Sequence, residues 1–154
     1  MKLIVQFIAL AVLLFSGACQ RKSQPIASSA SSARQMADAS RLQASWKLET
    51  FRGRPVKEKQ FGPRWPTLTF SVADSSVAGT GGCNRMRGKI TIDAGRKIAF
   101  GPAAMTKMAC TGQSEMTEDD FLKALRGIDS YSFPDDRLAL SRGGKTEMTF
   151  TREK

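Results

Sequence analysis

The amino-acid sequence predicts a mainly β (α+β) fold, an antiparallel sheet curled into a small barrel or half-barrel with one α-helix packed against it. Several segments alternate apolar and polar residues with the period of two expected of half-buried strands. These segments are short and are separated by glycine-rich turns, which favours an antiparallel sheet that curls or closes. One later segment has the helical period instead.

The predicted strands begin near Trp46 and continue to the C-terminal end of the chain. In "TLTFSV", Leu68, Phe70 and Val72 face one way, and the threonines and serine face the other. The connections "DAGR", "FPDD" and "SRGGK" carry residues that favour turns. The full set of predicted strands is "SWKLET" at 45–50, "TLTFSV" at 67–72, "GKITID" at 88–93, "KIAF" at 97–100, "RLALS" at 137–141 and "TEMTF" at 146–150.

The predicted helix is "MTEDDFLKALRGID", residues 116–129. Thr117 and Asp120 have the spacing of an N-terminal cap, and acidic residues occupy the first turn, where the helix dipole favours them. One face of this helix is apolar, so we expect it to pack on the open side of the curled sheet. That face is formed by Phe121, Leu122, Leu125 and Ile128.

The first 18 residues have the composition of a secretory signal peptide. Lys2 supplies a positive start, an apolar run follows, and Ser16, Gly17 and Ala18 are small. The apolar run is too short to span a membrane comfortably. We therefore expect residues 1–18 to be removed on export.

Two processing routes remain open at this site. Ordinary signal peptidase would cut after Ala18 and leave a soluble periplasmic protein. The stretch "LFSGAC" also resembles a bacterial lipobox, although Ser16 stands where leucine is favoured, and we prefer acylation of Cys19 as the membrane anchor. Gln20, rather than aspartate, follows the cysteine, which for a lipoprotein implies the periplasmic face of the outer membrane.

Residues 19–42 are rich in serine and alanine, and we expect them to form a lipid-anchored tether ahead of a single domain at 43–154. The whole chain has a net charge of +10, and loss of Lys2 with the signal peptide leaves +9. The cations are dispersed, which favours a solvated basic surface, with weak attraction to anionic lipid or lipopolysaccharide as the functional alternative. We expect a monomer that contacts envelope proteins or anionic lipid and binds no nucleic acid.

The remaining cysteines, Cys83 and Cys110, form an even pair, and a disulfide is their simplest use in an oxidising compartment. A loop of that length would stabilise the fold by about 3–4 kcal/mol. The chain contains no histidine, so serine–histidine and cysteine–histidine nucleophile pairs are excluded. We therefore expect no enzymatic activity, no cofactor and no metal.

The segment "GTGGCNRMRGK", residues 79–89, could suggest a phosphate-binding loop. It does not fit the Walker spacing or the dinucleotide fingerprint, and a strand rather than a helix follows it. The glycines are better suited to positive φ angles and close backbone approach at a corner between two strands, and Asn84 suits the same corner.

Four segments together resemble the META domain family, which includes heat-shock lipoproteins of the bacterial envelope: "GTGGCNRMRGKITID", "MTKMAC", "MTEDDFLKALRGIDSYSF" and "RLALSRGGKTEMTF". The resemblance covers about residues 43–152. It implies the curled sheet and helix, a link to stress response, and no established catalytic activity. The motif positions that carry it, with an expected structural role, are Gly82, Cys83, Asn84, Thr106, Met108, Ala109 and Cys110.

The favoured function is a non-enzymatic envelope lipoprotein that supports envelope integrity under stress through interactions. One alternative is a carrier of a small hydrophobic ligand, which predicts a cavity lined by Phe70, Ile92 and Phe100. Another is a Cu(I) site, because soft sulfur ligands suit that ion. Its candidate ligands are Cys83, Met86, Met105, Met108, Cys110 and Met116. A thiol redox enzyme is disfavoured, because the cysteines are not in a C-x-x-C arrangement.

Overall fold

A computed structural model describes two stretches of the chain, residues 36–110 and 117–154. The predicted signal peptide, Cys19, most of the predicted tether and Met116 lie outside these residues. Within the two described stretches, no helix combines the length and the apolar character needed to cross a membrane.

Nine strands form one antiparallel sheet that curls into a ring. Their order across the sheet is β2-β1-β3-β4-β5-β6-β7-β8-β9, and β9 also pairs with β1 and closes the ring. This arrangement confirms the predicted fold class. The strands are β1 Ser45–Phe51, β2 Arg54–Pro55, β3 Thr67–Ser71, β4 Ser76–Thr80, β5 Arg85–Asp93, β6 Lys97–Met105, β7 Ser130–Ser132, β8 Leu138–Arg142 and β9 Lys145–Arg152.

The structure contains strands that the sequence pattern did not predict. β2, β4 and β7 are additional, and β5 and β6 extend beyond the predicted segments. The extension of β6 includes Gly101 and Pro102, residue types that are rare inside sheets. Along this extension, β6 pairs with β5 on one side only, since its pairing with β7 is limited to Lys97. An irregular register beside Gly88 further accommodates the proline.

The core fills the ring with aromatic and aliphatic side chains from most of the strands. Residues 36–42 are helical and belong to helix α1, whose Leu42 is fully buried, although the sequence analysis assigns that residue to the tether. The Leu42 carbonyl accepts a hydrogen bond from the Trp46 indole at 3.1 Å. Two ion pairs connect α1 to loops of the sheet. Asp38 pairs with Arg96 between β5 and β6 at 2.7 Å, and Arg41 pairs with Asp136 between β7 and β8 at 2.8 Å.

Helix α2, Glu118–Arg126, covers one end of the core. Thr117 and Asp120 form a complete capping box, as their spacing predicts. The predicted apolar face is buried in full, with Phe121, Leu122, Leu125 and Ile128 in the core. The first turn of α2 is thereby held against the corner between β4 and β5.

Candidate functional site

The corner between β4 and β5 depends on its glycines. Gly82 has a φ of +125°, in the region that favours glycine. A Cβ atom at Gly82 would collide with the carbonyl of Phe61, and one at Gly79 would collide with the carbonyl of Thr67. The Gly82 carbonyl accepts a hydrogen bond from the Arg64 backbone N–H at 2.8 Å. The corner is therefore a site of close backbone packing.

A disulfide joins Cys83 in this corner to Cys110, at the end of the segment that follows β6. The two Cα atoms are 6.0 Å apart, within the range that a disulfide requires. The predicted pairing is therefore confirmed. Cys83 is buried, whereas Cys110 is exposed.

The side chain of Asn84 lies at the centre of a hydrogen-bonded cluster and is itself buried. Its Oδ1 accepts hydrogen bonds from the Met108 backbone N–H at 2.7 Å and from the Thr106 hydroxyl at 3.0 Å. Its Nδ2 donates to Glu118 Oε2 at 2.7 Å and lies 3.4 Å from Cys110 Sγ. One amide thus contacts the corner, the segment after β6 and helix α2.

Glu118 closes the cluster from the helix side. Its Oε1 accepts hydrogen bonds from the backbone N–H groups of Asn84 at 2.7 Å and of Cys83 at 3.2 Å. The Thr106 hydroxyl accepts a further bond from the Arg85 backbone N–H at 3.1 Å. We call the six residues of this arrangement the motif cluster: Cys83, Asn84, Thr106, Met108, Cys110 and Glu118.

The chemistry open to the motif cluster is limited by these internal bonds. Both polar atoms of the Asn84 side chain are occupied by protein groups, and both cysteine sulfurs are consumed in the disulfide. One carboxylate oxygen of Glu118 and the two sulfurs lie within 4.8 Å of one another, yet a disulfide offers no thiolate to a metal ion. The arrangement holds three chain segments together.

The cysteines considered for Cu(I) are joined in the disulfide and offer no thiolate, although Met86 and Met105 are opposite one another in the pairing of β5 and β6. Met86 is buried in the core, whereas Met105 and Met108 are 37% and 57% exposed. With both cysteines oxidised, the soft ligands that remain among these residues are thioethers alone. Met116, the last candidate, lies outside the described residues.

An apolar cavity of about 70 Å³ lies between helix α2 and strands β5 and β6. Of the residues named for a carrier cavity, Phe100 contributes to its lining. Phe70 is buried and packs edge-on against Phe100 at 6.1 Å, and Ile92 lines a different hollow beside α1. A drug-sized ligand usually occupies about 300–1,000 Å³, so this cavity is too small for such a ligand.

Sequence reasoning found the two cysteine motifs but did not find their connection through Glu118. It interpreted Glu118 as a favourable charge in the first turn of the helix, and it assigned Asn84 to the corner by backbone preference. Asn84 does not have a positive φ, and its side chain carries its role. Ala109 is exposed between Met108 and Cys110.

Comparisons with known proteins agree with this geometry. A protein-family model described as the META domain matches residues 39–154. An NMR structure of a protein from Burkholderia xenovorans is 27% identical, covers 80% of this chain and 88% of its own, and superimposes with a TM-score of 0.57. A second NMR structure, 19% identical, covers 72% and 90% with a TM-score of 0.54 and supports the fold alone. A comparison with curated proteins gave no match.

Proposed function

The chain belongs to the META domain family, and we propose that it is a non-enzymatic lipoprotein of the bacterial envelope that supports envelope integrity under stress. In this proposal Cys19 carries the lipid anchor on the periplasmic face of the outer membrane. The domain acts by binding other envelope components through its surface.

The closed motif cluster is the observation that carries this proposal. A catalytic constellation needs a nucleophile, base or acid that a substrate can reach. Here the polar atoms of Asn84 and Glu118 are bonded to the protein itself, and the cysteines are joined. A motif of this kind serves to hold a scaffold in one shape, which suits a binding protein.

The disulfide also supports an exported location. Disulfides persist in oxidising compartments and are rare in the cytosol. This agrees with the signal-peptide composition of residues 1–18 and with the cysteine that directly follows them. Two or more acyl chains on Cys19 would give a stable anchor.

The exposed surface beside the motif cluster is suited to contact with a partner. Residues 102–110 are exposed throughout and include Met105 and Met108, two of the large apolar side chains that are exposed in the described part. Exposed methionines adapt to varied partners, because their side chains are flexible and polarisable. Such a surface supports binding without catalysis.

The proposal can be tested by measuring envelope permeability in a strain that lacks the gene. After heat shock, we expect more entry of a dye that the intact outer membrane excludes. The wild-type gene should restore the barrier, and a Cys19→Ser variant, which cannot be acylated, should not. Permeability that is unchanged by the deletion, or full rescue by Cys19→Ser, would contradict the proposal.

A further inference from the structure

We propose that the outer face of strand β5 is a docking surface for anionic phospholipid headgroups, through the row formed by Arg85, Arg87 and Lys89. This inference rests on the proposed function, since it concerns how a tethered domain would lie on its own membrane. It gives a binding role to part of the positive charge of the chain.

The row follows from the alternation of β5. Its three cations are exposed, and the residues between them point inward or lack a side chain, Met86 being buried and Gly88 half-buried. Alternate residues of a strand lie about 6.6 Å apart on one face, so the row is about 13 Å long. It can therefore contact more than one phosphate at a time.

Within the described part of the chain, no carboxylate forms an ion pair with the cations of the row. Lys89 Nζ donates to the backbone carbonyl of Asp74 at 3.1 Å, and the Asp74 carboxylate accepts from Ser71 instead. Elsewhere in the described structure, arginines such as Arg96 and Arg137 do pair with carboxylates.

Small side chains flank the row, so a flat surface can approach it. In the neighbouring strand β4, Ser76 is opposite Lys89 and Ala78 is opposite Arg87. On the other side, Ala104 of β6 is opposite Arg87, and Pro102 lines a shared hollow with Lys89. None of these small neighbours would shield the guanidinium groups from an approaching phosphate. Arginine matches phosphate geometry with two parallel hydrogen bonds.

The position of the tether favours a membrane as the occupant. The described part of helix α1 starts at Met36, which lines a hollow together with Ile92 and Asp93, at the far end of the same strand. Residues 19–35 can extend to about 60 Å. An anchor at Cys19 would thus keep the row near an anionic surface at high effective concentration.

The inference predicts selective binding of the protein to anionic vesicles without help from the acyl anchor. The test uses the non-acylated chain from Gln20 to Lys154, because the buried hydrophobic residues of the described stretches lie between Leu42 and Phe150. We expect binding to phosphatidylcholine vesicles that contain phosphatidylglycerol, weaker binding to pure phosphatidylcholine, and loss of binding as salt is raised.

Two triple variants with the same change in charge separate the row from the overall charge. Replacing Arg85, Arg87 and Lys89 with glutamine should weaken binding about a hundredfold, since each cation near the surface contributes about a fivefold factor. The matched control replaces Arg54, Lys57 and Lys145, which are exposed cations outside β4–β6. That control should weaken binding by less than about threefold, because distant charges are screened.

Several outcomes would overturn the inference. One is that the two triple variants weaken vesicle binding equally. Another is that the protein binds neutral and anionic vesicles equally. A third is that it binds an acidic polypeptide such as polyglutamate but not vesicles. Circular dichroism should show both triples folded, and the single Arg87→Gln variant gives a milder test with about a fivefold loss. If Cys19 is acylated in cells but the row does not bind vesicles, the proposed function stands and this inference fails.

Discussion

The Asn84 side chain donates a hydrogen bond of 2.7 Å to the Glu118 carboxylate, across 34 residues of sequence. This contact joins the corner between β4 and β5 to the first turn of helix α2. The same carboxylate accepts two backbone N–H groups of the corner. The pair therefore holds the first turn of the helix against the corner, while the apolar face of the helix packs in the core.

The first prediction concerns this pair. Asn84→Ala should lower the free energy of unfolding by about 2–3 kcal/mol, because it removes the hydrogen bonds that this buried amide makes to Glu118, Thr106 and Met108. A double-mutant cycle with Glu118→Gln should give a coupling energy of about 1–2 kcal/mol in urea unfolding. A loss below about 0.5 kcal/mol for Asn84→Ala would show that the cluster does not stabilise the fold.

The second prediction compares two glycines with positive φ. Gly82→Ala should cost at least about 3 kcal/mol, because the new Cβ would be strained and would also collide with the Phe61 carbonyl. Gly95, with a φ of +76°, has open space around its Cα, so Gly95→Ala should cost only about 1–2 kcal/mol. Urea denaturation of both variants tests this difference. Equal losses would mean that the collision at the corner is relieved without cost.

The third prediction concerns the disulfide. The double variant Cys83→Ala, Cys110→Ala should lose about 3–4 kcal/mol, because its unfolded state is no longer constrained by the 27-residue separation. The wild-type protein treated with a dithiol reductant should show a loss of similar size. If both measurements give less than about 1 kcal/mol, the disulfide contributes little beyond the contacts around it.

The fourth prediction is a dependence of stability on acid. The Asp129 carboxylate accepts hydrogen bonds from the Gly143 backbone N–H at 2.6 Å and the Ser130 hydroxyl at 2.7 Å, which lower its pKa from the ordinary 3.8. Its stabilising effect is therefore complete above the unfolded-state pKa and is lost as the pH falls through the lower folded-state pKa. NMR titration should find this depressed pKa.

Asp129→Asn provides the control for the acid dependence. Thermal unfolding of the variant should show a smaller loss of stability between about pH 4 and pH 2 than the wild type. A similar depression of the pKa applies to Asp120, which caps α2 through Thr117, so part of the acid loss should remain in the variant. An ordinary pKa for Asp129 in the folded protein would contradict this account.

The sequence predicts those parts of the fold that depend on local periodicity. The alternation around Phe70 and the helical face around Phe121 both correspond to core contacts in the structure. Strand β4 was missed because Ser76, Ala78 and Gly79 give no apolar alternation. Its existence depends on pairing with β3 and β5 on both sides.

Only part of the motif cluster was predicted, because only part of it can be inferred without knowing the tertiary structure. Two cysteines in an exported chain indicate a disulfide from composition alone, and that pairing is confirmed. The contact of Asn84 with Glu118 depends on where α2 lies on the sheet, which no local pattern encodes. The sequence shows Arg85, Arg87 and Lys89 at alternate positions. They form one row on the surface because β5 extends to Arg85, which the sequence pattern did not predict.

The most direct test of the central claim is the intact mass of the mature protein, gently extracted from its own cell envelopes. If the domain is lipid-anchored and disulfide-bonded, the mature chain begins at Cys19 and carries the added mass of acyl chains. Its mass is also lower by two hydrogens, which are lost when the Cys83–Cys110 disulfide forms. A chain that retains residues 1–18 with both thiols free, or one recovered without acyl mass from the soluble fraction, would contradict the account.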